Sequence, residues 1–309
     1  MKKSRPVARA QARFTDYVVR EPMELMAFLA ARMPQASRTK LKTLLAKRVV
    51  YVDNAITTQY NFPLRPGMKV QISRDKGNHE FRHRLLRLVY EDAYLLVVEK
   101  EPGLLSVGTE RQHERTAHAI LSEYVKRSGR GPGRVFVVHR LDRDTSGLMM
   151  FAKDEKTQHT LRDNWHQIVF DRRYVAVVAG RMERDAGTVH SWLTDHTLYV
   201  SSSPVDDGGQ ESVTHYRTIK RSDRFSLMEL HLETGRKNQI RVHMQDLGHP
   251  VVGDSRYGLE DLDPIGRLCL HAFKLCFTHP VTGETLEFET PYPPQFKALM
   301  TSGPLTTCH

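Results

Sequence analysis

The chain has 309 residues, 39% of them hydrophobic, and carries a formal net charge of +10. That is enough apolar material for one large cored domain with a small companion, or for two domains of medium size, and it excludes disorder throughout. No apolar run approaches the roughly 20 residues that a bilayer crossing needs, and Cys269, Cys276 and Cys308 form no C-x-x-C pair. A membrane span, a disulfide framework and a cysteine zinc site are therefore unsupported, and reduced thiols of a cytoplasmic protein are expected.

The charge lies at one end. Residues 1–86 hold 18 Lys/Arg against 6 Asp/Glu, leaving 28 against 30 for the remainder. Such asymmetry points to a module that meets a polyanion, nucleic acid ahead of an anionic membrane surface. Residues 1–13 mix Lys, Arg, Ala, Gln and Pro without apolar periodicity and predict a disordered basic tail. Met23, Met26 and Leu29 then recur at helical spacing and stop near Pro34, and Ser37 is a plausible N-cap for a second helix with Leu41, Leu44 and Leu45 inside. Val49-Val50-Tyr51-Val52, the polar turn Asp53-Asn54 and, after Pro66-Gly67, the alternating run Met68-Lys69-Val70-Gln71-Ile72 read as strand, turn, strand. An αα-then-β unit over residues 14–75 results, with the charged, Gly/Asn/His-rich residues 76–86 as a linker.

A second domain is expected over residues 87–300. Apolar runs at 94–98, 135–138, 148–152, 174–179, 227–232 and 286–288 predict strands, and 117–126, 155–165 and 238–247 predict helices. Strands outnumber helices and short turns such as Thr282-Gly283 join some of them, so the fold class is α+β, built on a mixed, largely antiparallel sheet with flanking helices. The densest chemical cluster is His139-Arg140-Leu141-Asp142-Arg143-Asp144-Thr145-Ser146-Gly147-Leu148, a loop between two apolar runs. Two carboxylates, several cations and a glycine that lets backbone approach a ligand suit a site. None of the 16 histidines falls at a recognised metal-ligand spacing, so neither a metal nor another cofactor is expected.

The order of features in residues 14–75 is similar to an S4 RNA-binding domain: Ser37-Arg38 opening a helix, the strand with Asp53-Asn54, and the closing Leu64-Arg65-Pro66-Gly67-Met68-Lys69-Val70. That resemblance implies RNA contacts from Ser37, Arg38, Lys40, Lys42, Lys47 and Arg48, the last standing where the family more often has glycine. Residues 139–148 resemble the H-R-L-D signature of the RluA family of pseudouridine synthases. Further stretches follow in the family's order. Glu99-Lys100-Glu101-Pro102-Gly103-Leu104-Leu105 is similar to K-P-x-G-L with Glu101 inserted, and Arg172-Arg173-Tyr174-Val175-Ala176-Val177 to K-x-Y-x-A-x-V with Arg172 in the Lys position. Residues 234–243 are similar to T-G-R-x-H-Q-I-R-V-H, with Asn238 in the His position, and Gly248-His249-Pro250 with Gly253-Asp254 continues it. This resemblance covers residues 87–296.

The resemblance implies isomerisation of uridine in RNA, with Asp142 as nucleophile, Tyr174 as the active-site tyrosine and Arg241 as the cation that holds Asp142 charged. Breaking and remaking a glycosidic bond requires no redox change, only an ionised carboxylate in a pocket that excludes water. Burial raises a carboxyl pKa, so a cation must oppose it, and a guanidinium can grip a carboxylate with two prongs. The target base must leave its stack, and Arg140 matches the residue that fills the gap. Leu270 matches an apolar residue against the uracil, and His139 and Arg236 complete the expected substrate contacts. The expected partner is RNA, ribosomal ahead of transfer RNA, and the expected state is a monomer. Two other readings remain open: a non-catalytic RNA-binding protein, and a glycosidase that hydrolyses the same bond and releases free uracil.

Overall fold

The computed structural model describes residues 14–46, 49–53, 55–73, 81–108, 116–128, 134–196 and 198–301. The expected basic tail, Lys47, Arg48, Asn54, residues 76–80 and Cys308 lie outside them. The chain divides into two compact units, one of Met1–Glu80 with Arg127–Gly129 and one of Phe81–Lys126 with Arg130–His309.

The first unit contains β1 (Phe14–Val18), β2 (Met23–Glu24), α1 (Leu25–Arg32), α2 (Arg38–Ala46), β3 (Val50–Val52), β4 (Ala55–Ile56), β5 (Pro63–Leu64) and β6 (Lys69–Ser73). Four strands form a sheet in the order β1-β6-β3-β4. Phe28 and Leu29 of α1 and Leu41 and Leu45 of α2 pack with Val50, Val52 and Val70 in one core. Ser37 caps α2 as expected, its Oγ accepting from Lys40 N at 3.2 Å. The first helix starts two residues later than its apolar spacing predicts, because Met23 pairs with Leu64 as a short strand. Arg38, Lys40 and Lys42 are exposed.

The second unit contains β7 (Leu86–Glu91), β8 (Leu95–Lys100), α3 (Ala117–Ser128), β9 (Phe136–Val137), β10 (Ser146–Ala152), α4 (Glu155–Asp163), α5 (Trp165–Ile168), β11 (Val169–Ala179), β12 (Ala186–Asp195), β13 (Val200–Ser203), β14 (Gln210–Arg221), β15 (Phe225–Leu232), α6 (Gln239–Asp246), β16 (Leu270–Thr278), β17 (Thr285–Glu289) and α7 (Pro294–Leu299). One sheet runs β13-β12-β14-β15-β11-β16-β10-β8-β7, with β9 beside β10 and β17 beside β16. Every pairing is antiparallel except β10 with β16, so the sheet is mixed and largely antiparallel, as expected. Residues 81–86, read from composition as linker, belong to this unit, because Phe81, Leu85 and Leu86 supply apolar side chains to the core that includes Tyr124 and Leu141. The expected helix over 155–165 is broken at Asn164, where α4 ends and α5 begins.

The parallel pair positions everything that follows. Ser146 lies opposite His271 and Gly147 opposite Ala272, so the loop entering β10 sits beside the start of β16. A Cβ on Gly147 would lie 2.2 Å from the Ala272 carbonyl oxygen, and its φ is +118°. This corrects the expectation that Gly147 admits a ligand: the backbone it admits is its own neighbouring strand.

Candidate active site

A cavity of about 580 Å³ opens between the loop at residues 138–145, α4, α5, β11, the β15–α6 connection, α6 and the start of β16. Its lining includes His139, Arg140, Asp142, Tyr174, Arg236, Arg241 and Leu270. All seven expected residues of the catalytic domain thus meet in one place, brought from five segments of the chain.

The loop carrying Asp142 is fixed from behind. Ser106 is buried; its Oγ donates to Leu141 O at 2.6 Å and accepts from Leu141 N at 3.1 Å. Lys100, fully buried, donates from Nζ to the carbonyls of Arg143 at 2.8 Å and Glu101 at 3.1 Å. Burial pushes the Lys100 ammonium down to about 7, against the pull of Asp144 and Asp142. Gly103 N also donates to Arg143 O, at 3.0 Å. His139 accepts from Met150 N on Nε2 at 2.9 Å and packs against the Trp165 ring. Burial and the nearby Arg172 charge push it down to about 3. His139 is therefore a neutral ring that ties the loop to β10 and lines the cavity.

Asp142 is held less tightly than the sequence implied. Arg241 Nη1 lies 3.8 Å from Asp142 Oδ2, beyond hydrogen-bonding reach. The two-pronged grip goes instead to Asp254, from Nε at 2.6 Å and Nη2 at 2.7 Å. Asp254 also accepts from the backbone N–H groups of Arg256 and Tyr257 at 2.9 and 3.0 Å, and these partners hold its carboxyl below the usual range although burial opposes them. Asn238 accepts from Arg241 Nη1 at 2.9 Å and donates to Tyr257 Oη at 3.1 Å, while the guanidinium lies over the Tyr257 ring at 5.1 Å. Asn238 has φ +55°, a left-handed conformation that asparagine tolerates better than most residues. Asp142, by contrast, is pushed up by burial, with Arg241, Arg140 and Lys100 opposing and Asp254 adding to the rise.

Tyr174 projects from β11, where Ala176 pairs with Leu270 across β16. Burial raises its phenol, Arg172 opposes and Asp142 adds to the rise, so the hydroxyl stays protonated. Leu270 is 3% exposed and supplies the apolar wall. Arg140 is exposed and makes no hydrogen bond to any described residue. Arg236 donates from Nε to Glu211 O at 3.1 Å. Helix α6 is anchored beneath by Ile240 and Met244 in the core and by His243, whose Nε2 and Nδ1 meet Ser191 Oγ and Thr214 Oγ1 at 2.9 and 2.8 Å. Sequence reasoning missed Ser106, the grip of Asp254 on Arg241, and Arg162, Trp165 and His166, which line the outer wall from α4 and α5. Ser106 and the α4–α5 wall carry no motif of their own.

Residues 94–246 match the family model described as RNA pseudouridylate synthase. The chain is 32% identical over 285 residues to the ribosomal large subunit pseudouridine synthase D of Nitrosomonas europaea, covering 88% of this chain and 82% of that protein. It is 39% identical over 217 residues to the uncharacterized RNA pseudouridine synthase YjbO of Bacillus subtilis, covering 70% and 75%. Among solved structures, human RNA pseudouridylate synthase domain containing 1 superposes with a TM-score of 0.56 at 25% identity, over 69% of this chain and 86% of that one. The cavity lined by Asp142, Tyr174 and Arg241 thus belongs to a chain that is a member of the RluA family of pseudouridine synthases, an isomerase acting on uridines in RNA.

Proposed function

We propose that Asp142 is the nucleophile with which this enzyme isomerises uridine, and that its substrate is large-subunit ribosomal RNA. The observation that carries the first part is the convergence of Asp142, Tyr174, Leu270 and Arg241 on one cavity, with Asp142 the only carboxylate lining it among the described residues. In this reading Leu270 and the Tyr174 ring, which both line the cavity, flank the flipped uracil, and the Tyr174 hydroxyl takes part in moving the proton that leaves C5 while N1 gains one. Asp142 breaks the N-glycosidic bond, by attack on the sugar or through a glycal, the base turns, and the bond reforms through carbon. Arg140, free at the mouth, fills the place the base leaves.

The choice of RNA rests on the Nitrosomonas protein and on a second synthase D, from Haemophilus influenzae, 33% identical over 88% of both chains. The basic first unit, with exposed Arg38, Lys40 and Lys42 all on α2, supports a role for it as an S4-like RNA holder, to which Ser37, Lys47 and Arg48 also contribute. The test is incubation of unmodified large-subunit ribosomal RNA with wild-type enzyme and with Asp142→Asn, followed by pseudouridine mapping. Wild type is expected to produce pseudouridine at defined positions and the variant none while still binding RNA. Turnover by the variant would remove Asp142 from the role, and release of free uracil would mean hydrolysis instead.

A further inference from the structure

Arg172 stands two residues before Tyr174 on β11 and lines the same cavity; alternate residues of a strand share a face. Among the described residues no carboxylate forms an ion pair with it. Its Nη2 has only the carbonyls of Leu232, Glu233 and Thr234, each at 3.4 Å. The guanidinium lies over the Trp165 ring, 5.6 Å from its centroid. A Cβ on Gly235 would come within 2.9 Å of Nη1, so the glycine leaves the room this group occupies. The charges that act most on Asp142 are those of Arg241, Arg140, Lys100 and Asp254, not that of Arg172. Its neighbours on the cavity wall, Arg162 and His166, are exposed and basic.

A guanidinium remains charged throughout the working range of pH, and withdrawing it from water without a counter-ion is unfavourable. This fold nevertheless holds one in place with an aromatic face, three carbonyl dipoles and a glycine gap. Such a preformed, uncompensated cation is complementary to an anion that arrives with the ligand. Given that the ligand is RNA, that anion is a phosphodiester. We propose that Arg172 receives a backbone phosphate flanking the target uridine, and that Trp165 is a positioning residue that holds its guanidinium plane. The site sets where the strand lies on the outer wall, so that only a nucleotide at fixed distance from the phosphate can turn in towards Asp142. The proposal rests on the pseudouridine synthase reading above.

The test uses full-length wild type, Arg172→Gln, Arg172→Lys and Trp165→Leu with an unmodified large-subunit ribosomal RNA transcript. Affinity is measured across a potassium chloride series, and pseudouridine formation on the same transcript. Each phosphate contact contributes about 0.7–0.9 to the slope of log affinity against log salt. Arg172→Gln should make the slope shallower by about that amount and raise KM by more than it lowers kcat. Arg172→Lys should keep the slope, and Trp165→Leu should weaken binding several-fold with the slope kept. An unchanged slope in Arg172→Gln, or a fall in kcat alone, would place Arg172 on the reacting groups and overturn the proposal. If Arg172→Gln does not fold, phosphate ethylation on wild type decides. Ethylating a phosphate beside the uridine that is modified should exclude that molecule from the bound fraction, and no interference there overturns the assignment. Wild type that makes no pseudouridine at all would sink the underlying reading instead.

Discussion

Arg241 faces two carboxylates and divides itself unequally between them. Asp254, with a side chain that is 0% exposed, takes the two-pronged contact, and Asp142 is left at 3.8 Å with a raised pKa. Replacing Arg241 with methionine should therefore do more than remove a charge near Asp142. It would leave Asp254 buried and unpaired, and breaking such a pair costs about 3–5 kcal/mol. Chemical denaturation should show that loss alongside a fall in turnover of orders of magnitude; a variant as stable as wild type would mean Asp254 relaxes into solvent. The raised pKa of Asp142 has a definite sign for stability. The protonated acid is the form favoured by the folded protein, so its contribution is complete below the unfolded value and lost as pH rises through the folded one. At neutral pH the ionised Asp142 destabilises the fold, and Asp142→Asn should melt at a higher temperature than wild type. The gap should close below about pH 4. Activity should run the opposite way if Asp142 is the nucleophile proposed above, since it must then be ionised: the rate should rise with pH through the raised Asp142 value, an acid limb readable in single-turnover assays.

At the scale of elements, the site depends on one parallel contact in an otherwise antiparallel sheet. Gly147 touches the Ala272 backbone too closely for any Cβ, so Gly147→Ala should cost roughly 2–6 kcal/mol from backbone strain and overpacking together. Because that junction places the Asp142 loop beside Leu270, the folded fraction should lose turnover as well, measurable by denaturation and assay of one preparation. An unchanged melting point would show that β10 can slide away from β16. Little of this contact was legible in the sequence. The apolar runs announced β8, β10, β11 and β15, because strands buried on both faces read as continuous hydrophobic stretches. Strands β12 and β14 alternate between exposed and buried residues and are rich in Thr, Ser, His and Arg, so they escaped notice. Strand β16 was hidden by His271 and Lys274 within its buried run. Periodicity reveals a strand but not its neighbour, and the parallel pairing follows from neither. The H-R-L-D loop, Tyr174 and Arg241 were legible through their motifs. The break at Asn164, which turns Trp165 and His166 to the cavity wall, was not, since both halves share one helical pattern.

At the scale of the whole molecule, the net charge of +10 is contributed by the first 86 residues, the rest being close to balanced. The first unit has its own core of Phe28, Leu29, Leu41, Val50 and Val70, and none of Asp142, Tyr174 or Arg241 lies in it. Deleting residues 1–80 should therefore leave a catalytic unit that folds, since its own core clusters are complete from Phe81 onward. Turnover at saturating RNA should persist, because every group lining the cavity remains. Affinity should fall, and the dependence of KM on salt should become shallower, because fewer counterions are released when fewer phosphates are neutralised. Selection of the uridine should change less than affinity, since phosphate contacts position the RNA while the cavity reads the base. The measurement is KM, kcat and the salt slope for both proteins on one ribosomal RNA transcript, with circular dichroism to establish that the truncated protein is folded. A folded truncation with no turnover at saturation would make the first unit part of the active site. Unchanged KM and slope would mean that its lysines and arginines form a solvated face and take no part in holding RNA.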